Sequence, residues 1–288
     1  MSTVQKLGVV GAGQMGQGIA QVAAQAGLDV IVVDAAPDFA KTGIAKIKKQ
    51  LDRLVEKTKL EASARDSAMS HLKAGAAHSD LAECDVVVEA CPEKEDLKLA
   101  IFKSLGEVCK DSAILASNTS SIPIMRLATA TSRPAQVIGL HFFNPVPVLP
   151  LVELVPSLMT SASTEGRASA FATDVLGKHV IRSKDRAGFV VNALLIPYLL
   201  SAIRMLESGF ATAADIDAGM VHGCAHPMGP LALADLIGLD TTMAVAESMY
   251  YEFKEPLYAP PPLLCRMVEA GLLGRKSGRG FHGYRPAG

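Results

Sequence analysis

The chain has 288 residues, of which 49% are hydrophobic and 20% charged, and a formal net charge of −1. That length accommodates a full nucleotide-binding domain and a second, smaller unit, and the balance of charge gives no electrostatic case for a nucleic-acid or membrane partner. Small molecules are the expected partners. The cysteines, Cys84, Cys91, Cys109, Cys224 and Cys265, form no CxxC pair, which points to reduced thiols in a cytoplasmic protein and against a disulfide framework or a zinc ribbon. No targeting or membrane-spanning segment is expected, because the N-terminus enters a strand almost at once and no long uncharged apolar run follows.

The first predicted strand, Leu7 to Val10, runs into Gly11-Ala12-Gly13-Gln14-Met15-Gly16 and a helix over Met15 to Gln25. In this strand, turn and helix setting a GxGxxG is a dinucleotide fingerprint. Gly11 permits the tight turn, Gly13 lets the backbone approach a pyrophosphate at the helix N-terminus, and Gly16 lets the helix pack on the strand. The second strand, Val30 to Val33, ends at Asp34. Its carboxylate would accept hydrogen bonds from the adenosine ribose hydroxyls and repel a 2′-phosphate, which favours NAD over NADP. A capping role for Asp34 is the weaker reading, since Pro37 and Asp38 already supply a start for the helix Phe39 to Glu56. That helix and its C-terminal end carry Lys41, Lys46, Lys48, Lys49, Arg53, Lys57 and Lys59 against Asp52 and Glu56. Such a face suits phosphates and reads equally well as solvated surface.

Strands at Val86 to Glu89 and Ile114 to Ser117 flank a helix over Leu97 to Val108, and strands at Val137 to Leu140 and Leu151 to Val155 follow. The alternation predicts an α/β fold, a Rossmann-type, doubly wound and mainly parallel sheet. His141 opens the run His141-Phe142-Phe143-Asn144-Pro145-Val146-Pro147, and Glu153 sits inside the apolar strand Leu151-Val152-Glu153-Leu154-Val155. A histidine can accept a hydroxyl proton near neutral pH, and a buried carboxylate can fix its tautomer and stabilise its charged form. Asn118-Thr119-Ser120-Ser121 also reads as capping ahead of a helix starting near Pro123. From Phe189 onward helical spacing takes over, at Asn192 to Glu207 and Ala213 to Met220, with a turn at Pro227-Met228-Gly229-Pro230. An all-helical C-terminal domain follows a boundary at Lys184 to Gly188, giving domains 1–186 and 187–288. His222 and His226 have metal-like spacing, but Gly223 and Pro227 break the helix, so no metal is expected.

The fingerprint, Ser117-Asn118-Thr119-Ser120-Ser121, His141 to Pro147, Gly188-Phe189-Val190-Val191-Asn192, His226-Pro227-Met228-Gly229-Pro230, Gly238-Leu239-Asp240-Thr241 and Gly274-Arg275-Lys276-Ser277-Gly278-Arg279-Gly280-Phe281 occur in this order. With them the chain resembles the 3-hydroxyacyl-CoA dehydrogenase family over nearly its whole length, and most of all the short, monofunctional bacterial 3-hydroxybutyryl-CoA dehydrogenases. The resemblance implies NAD-dependent interconversion of short-chain (S)-3-hydroxyacyl-CoA and 3-oxoacyl-CoA, as in fatty-acid β-oxidation, by a homodimer. It makes His141 the general acid and base and Glu153 its partner, with Ser120 and Asn192 donating to the substrate oxygen. It implies cofactor contacts at Gly11, Ala12, Gly13, Gln14, Met15, Gly16, Asp34, Glu93, Lys98, Ser120, Asn144 and Lys276, and a CoA contact at Lys57. The chain departs from the family at Gln50, where a serine is common, at Ala193 for arginine, and at Pro150 for lysine. Two alternatives stand beside this reading: a dehydrogenase for a carrier-protein-bound or dicarboxylic hydroxyacyl substrate, and a non-catalytic NAD-binding protein on the same scaffold, as the related lens crystallins illustrate.

Overall fold

Short valine- and isoleucine-rich runs, too brief for stable helices, form the centre of the first unit. The computed structural model describes residues 4–284, and its contacts divide the chain into Met1–Arg186 and Ala187–Gly288. Strands β1 (Lys6–Val10), β2 (Asp29–Val33), β3 (Leu72–Ala74), β4 (Val86–Glu89), β5 (Ile114–Ser117), β6 (Val137–Phe142), β7 (Leu151–Pro156) and β8 (His179–Arg182) make a single sheet in the order β3-β2-β1-β4-β5-β6-β7-β8. Every neighbouring pair is parallel except β6 with β7, which is antiparallel. β4 and β5 are buried along their whole length, as central parallel strands covered on both faces must be.

Helices α1 (Gln14–Gln25), α2 (Pro37–Glu56), α3 (Ala62–Ser70), α4 (Glu95–Val108), α5 (Ile124–Thr129) and α6 (Ala162–Ala170) complete the unit. One face of the sheet packs Val9, Val32, Val88, Ala116 and Leu140 against Ile19 and Ala23 of α1, Ile47 and Leu51 of α2, and Ala168 of α6. On the opposite face α5 lies close to β6, since a side chain on Gly139 would meet Ile124 at 2.9 Å. Asp185 accepts from the Ile124 and Met125 amides at 2.7 Å each, tying the end of the unit to the start of α5.

Within the second unit, helices α7 (Val191–Glu207), α8 (Ala213–Gly223), α9 (Pro230–Ile237), α10 (Leu239–Phe253) and α11 (Pro262–Glu269) enclose a core that includes Leu199, Leu200, Ile203, Leu231, Ala246, Met249 and Leu264. Asp235, 1% exposed, accepts from the amides of Phe281 and His282 and from the Tyr284 hydroxyl, which fastens the segment after α11 onto α9.

In the first unit, two strands and two helices were not expected from the sequence, β3, β8, α3 and α6, while α5 follows Pro123. β6 runs on through Phe142, so His141 lies within a paired strand and not beyond its end. α2 stops at Glu56, so Lys57 is its C-cap and Lys59 lies past it, which shortens the basic helical face. No helix among the described residues is long and apolar enough to cross a membrane.

Candidate active site

The loop after β1 is shaped by close backbone approach. Gly11 has φ +103°, and a side chain there would meet the Ala90 carbonyl at 2.7 Å, while one on Gly16 would strike the Gly11 carbonyl at 1.8 Å. A side chain on Gly13 would meet nothing within 4 Å, and no side chain caps α1. The start of α1 therefore offers uncapped amides and the positive end of the helix dipole to an anion. Asp34 accepts from the Ala12 amide and the Ala35 amide at 2.6 Å each, which joins the end of β2 to the fingerprint. These residues fit the pyrophosphate and adenosine ribose of a dinucleotide, and the carboxylate keeps lone pairs for ribose hydroxyls.

His141 and Glu153 face each other directly across the antiparallel β6–β7 pair. The Nδ1 of His141 lies 2.7 Å from Oε2 of Glu153, with the histidine 6% exposed and the glutamate fully buried. A carboxylate on Nδ1 sets the tautomer in which Nε2 is the basic nitrogen. The ring of Phe143 packs against the imidazole with centroids 4.6 Å apart. Together these contacts hold the ring at the edge of the sheet, where a proton can be exchanged at a defined atom.

The turn after β5 brings Ser120 to the same edge. Asn118 Oδ1 accepts from the Phe142 amide at 2.9 Å, tying this turn to the strand that carries His141. Glu93 Oε1 accepts from the Thr119 hydroxyl, from the Ser120 and Ser121 amides at 3.1 Å each, and from the Ser121 hydroxyl at 2.8 Å. Burial pushes the Glu93 carboxyl up, but the Lys98 ammonium and the hydrogen bonds from Thr119, Ser121 and Ser120 outweigh it and hold the group below its ordinary range.

Lys98 reaches no open surface. It is 1% exposed, and its ammonium binds Glu89 at 2.6 Å, the Cys91 carbonyl at 3.1 Å and Glu93 at 3.4 Å. Burying an ammonium requires anions around it, and Glu89 and Glu93 supply them. Glu89 was missed: this fully buried carboxylate also accepts from the Cys91 amide and the Ser117 hydroxyl at 2.6 Å each. An acid closing the all-valine run of β4 was the available signal. Burial and the neighbouring Glu89 charge push the Cys91 thiol up to about 12, which removes it as a nucleophile.

Asn144 is exposed in the loop after β6. Lys178 braces that loop from beneath, donating to the carbonyls of Val146 and Leu149 at 2.6 and 2.8 Å. A cavity of about 260 Å³ lies beside the loop, lined by Gln14, Gln21, Gln50, Leu54, Asn144 and Val146 among others. Gln21 is 2% exposed and its Oε1 is one of two buried side-chain atoms among the described residues with no hydrogen-bond partner. Lys57 is exposed at the end of α2.

In the second unit, Asn192 lies in the first turn of α7, half-buried. Lys276 binds both carboxylate oxygens of Asp240, at 2.5 and 2.6 Å. His226 packs beside Tyr198 and shares a 3.1 Å hydrogen bond with its hydroxyl. No group of three or more His, Cys, Asp or Glu side chains among the described residues is placed to hold a metal ion.

Comparison with known proteins gives two family matches. Residues 6–186 match the model for the 3-hydroxyacyl-CoA dehydrogenase NAD binding domain, and residues 188–284 match that for the C-terminal domain. A 3-hydroxybutyryl-CoA dehydrogenase of Mycobacterium tuberculosis is 56% identical over 98% of this chain and 99% of its own. The human mitochondrial hydroxyacyl-coenzyme A dehydrogenase is 40% identical over 98% of this chain and 92% of its own. Among solved structures, the (S)-3-hydroxybutyryl-CoA dehydrogenase of Ralstonia eutropha superposes with a TM-score of 0.94 at 47% identity, covering 98% of this chain and all of that one.

Proposed function

The chain belongs to the 3-hydroxyacyl-CoA dehydrogenase family, and on that premise we propose that it oxidises (S)-3-hydroxybutyryl-CoA to acetoacetyl-CoA with NAD and catalyses the reverse reduction. The observation that carries this reading is the His141–Glu153 pair standing on the same sheet as an uncapped dinucleotide fingerprint. NAD, when bound, supplies the hydride acceptor. The Nε2 of His141 takes the proton of the 3-hydroxyl, and Glu153 stabilises the imidazolium that results. Ser120, on a turn held by Glu93, donates a hydrogen bond to the oxygen on which negative charge develops. The cavity beside the loop after β6, with Gln14, Gln50 and Asn144 set among Leu54, Val146 and Val148, suits the amide-bearing arm of coenzyme A. This supports a CoA ester over a bare acid, with Lys57 available to the CoA phosphates.

The test is NADH oxidation with acetoacetyl-CoA, measured beside the N-acetylcysteamine thioester of the same acid. Fast turnover with the full ester and a much poorer truncated one is expected, because binding energy from the CoA handle contributes to catalysis. No turnover with either would sink the reading. Asp34→Ala should weaken both cofactors, since Asp34 also holds the Ala12 amide. The NAD effect should be the larger, so the preference for NAD over NADP narrows; an unchanged ratio of the two kcat/KM values would remove Asp34 from the ribose site.

The homodimer of the family is proposed for this chain too. It is supported by large apolar side chains open on the second unit, Leu194 at 74%, Phe210 at 80% and Tyr251 at 69% exposure. Sedimentation at micromolar concentration should give twice the 30.2 kDa chain mass, and a monomer would refute it. The cysteines, none of them in a disulfide, support a reducing, cytoplasmic setting.

A further inference from the structure

Glu89, Lys98 and Glu93 form a charge cluster that the proton transfer does not use. It holds two carboxylates and one ammonium, and among the described residues Lys98 is the one cation paired with either carboxylate. The other partners of Glu93 and Glu89 are hydroxyls and amides. Such neutral donors stabilise a carboxylate without cancelling its charge. One negative charge is left over.

The position of this charge follows from the strand order. Glu89 closes β4 and Ser117 closes β5, on the far side of the β1 fingerprint from Asp34 at the end of β2. A dinucleotide with its pyrophosphate on α1 and its adenosine ribose at Asp34 extends its other half across the carboxyl ends of β4 and β5. That half is the nicotinamide, which carries a positive charge when oxidised and none when reduced.

We propose that the uncompensated carboxylate of the Glu89–Lys98–Glu93 cluster sets the redox preference of bound cofactor, tightening the hold on oxidised NAD relative to NADH. The proposal rests on the cofactor reading above. A fixed negative charge attracts the nicotinamide in one oxidation state and is indifferent to it in the other, so it favours delivery of hydride from NADH to the oxoacyl substrate and slows the opposite transfer. Glu93 is the member open to adjustment, with 33% of its side chain exposed against 1% for Lys98 and none for Glu89. The ammonium and hydroxyls around Glu93 keep it ionised across the neutral range.

The experiment measures the dissociation constants of NADH and of oxidised NAD on the full chain, by nicotinamide fluorescence and by calorimetry. Glu93→Gln removes the charge, and Ser121→Ala removes one donor to Glu93 while leaving the charge in place. The ratio of the NAD constant to the NADH constant should rise about three- to tenfold in Glu93→Gln, as expected for one charge acting across a partly hydrated interior. It should stay within twofold of the wild-type ratio in Ser121→Ala. Glu93→Ala removes the same charge and serves where the glutamine variant does not fold. Equal weakening of both cofactor forms in the charge-removing variants, or an equal change of ratio in Ser121→Ala, would overturn the proposal and leave Glu93 a structural clamp. A wild-type chain that binds neither form would instead remove the cofactor reading, and the proposal with it.

Discussion

Replacing His141 with glutamine is expected to lower turnover by about two to four orders of magnitude and to leave NADH binding close to that of the wild type. Glutamine keeps much of the size of the ring and can still hydrogen-bond to Glu153, but it has no site that takes up a proton near neutral pH. The fingerprint loop and Asp34, which hold the cofactor in this reading, stand at the ends of β1 and β2, whereas His141 is carried by β6, so affinity and chemistry should separate. The measurement is kcat for NADH oxidation with acetoacetyl-CoA, set beside the dissociation constant of NADH. A variant with wild-type kcat would take the general-base role away from His141. A variant that loses kcat and NADH binding together would mean that the imidazole braces the sheet edge and that its loss is structural.

Lys98→Met is expected to cost about 3–5 kcal/mol in stability, because it leaves the Glu89 carboxylate buried without its cation. Methionine fills nearly the same volume, so the loss of packing is small and the electrostatic cost dominates. Glu89 is fully buried and binds Lys98 at 2.6 Å. The midpoint of urea unfolding, followed by far-ultraviolet circular dichroism, reports the change. Adding Glu89→Gln to Lys98→Met should recover a large part of it, since the double variant no longer buries a lone charge. If the single variant proved as stable as the wild type, the pair would be electrostatically idle.

The strands that the sequence announced were those whose residues answer to burial on both faces. Val86–Glu89 and Ile114–Ser117 match their predicted bounds because a central parallel strand has no polar face to interrupt the apolar run. β3, Leu-Lys-Ala, and β8, His-Val-Ile-Arg, lie at the two margins of the sheet, and their sequences show no such run. They are strands because a neighbour offers a hydrogen-bonding edge, which local sequence does not encode. The same contrast holds in the site. His141 and Glu153 were legible as a pair because an acid in an apolar strand demands a partner of complementary chemistry. Glu89 posed the same demand at the end of Val86-Val87-Val88, and its partner Lys98 had been assigned to the cofactor through the resemblance, with nothing in the sequence to pair the two. Only the folded position of α4 shows that this lysine points inward. Glu93 was singled out through the resemblance alone, as a cofactor contact, and its role as a clamp on Thr119 to Ser121 was not legible because those donors come from a distant turn.

The reversal of direction between β6 and β7 has a consequence for how the site tolerates change. Parallel strands supply a ligand-facing edge only with their last residues, and each must be reached by a long crossover. β7, running the other way, supplies that edge with its beginning, so Glu153 arrives opposite His141 by way of one short loop. Residues gained or lost in that loop would alter what the edge recognises while leaving the ladder, and with it the acid–base pair, in register. A single residue inserted between Leu151 and Glu153 would turn the carboxylate to the other face of the sheet. Substrate range and proton chemistry are in this way written on adjoining stretches of chain that can vary separately, one freely in length and the other not at all.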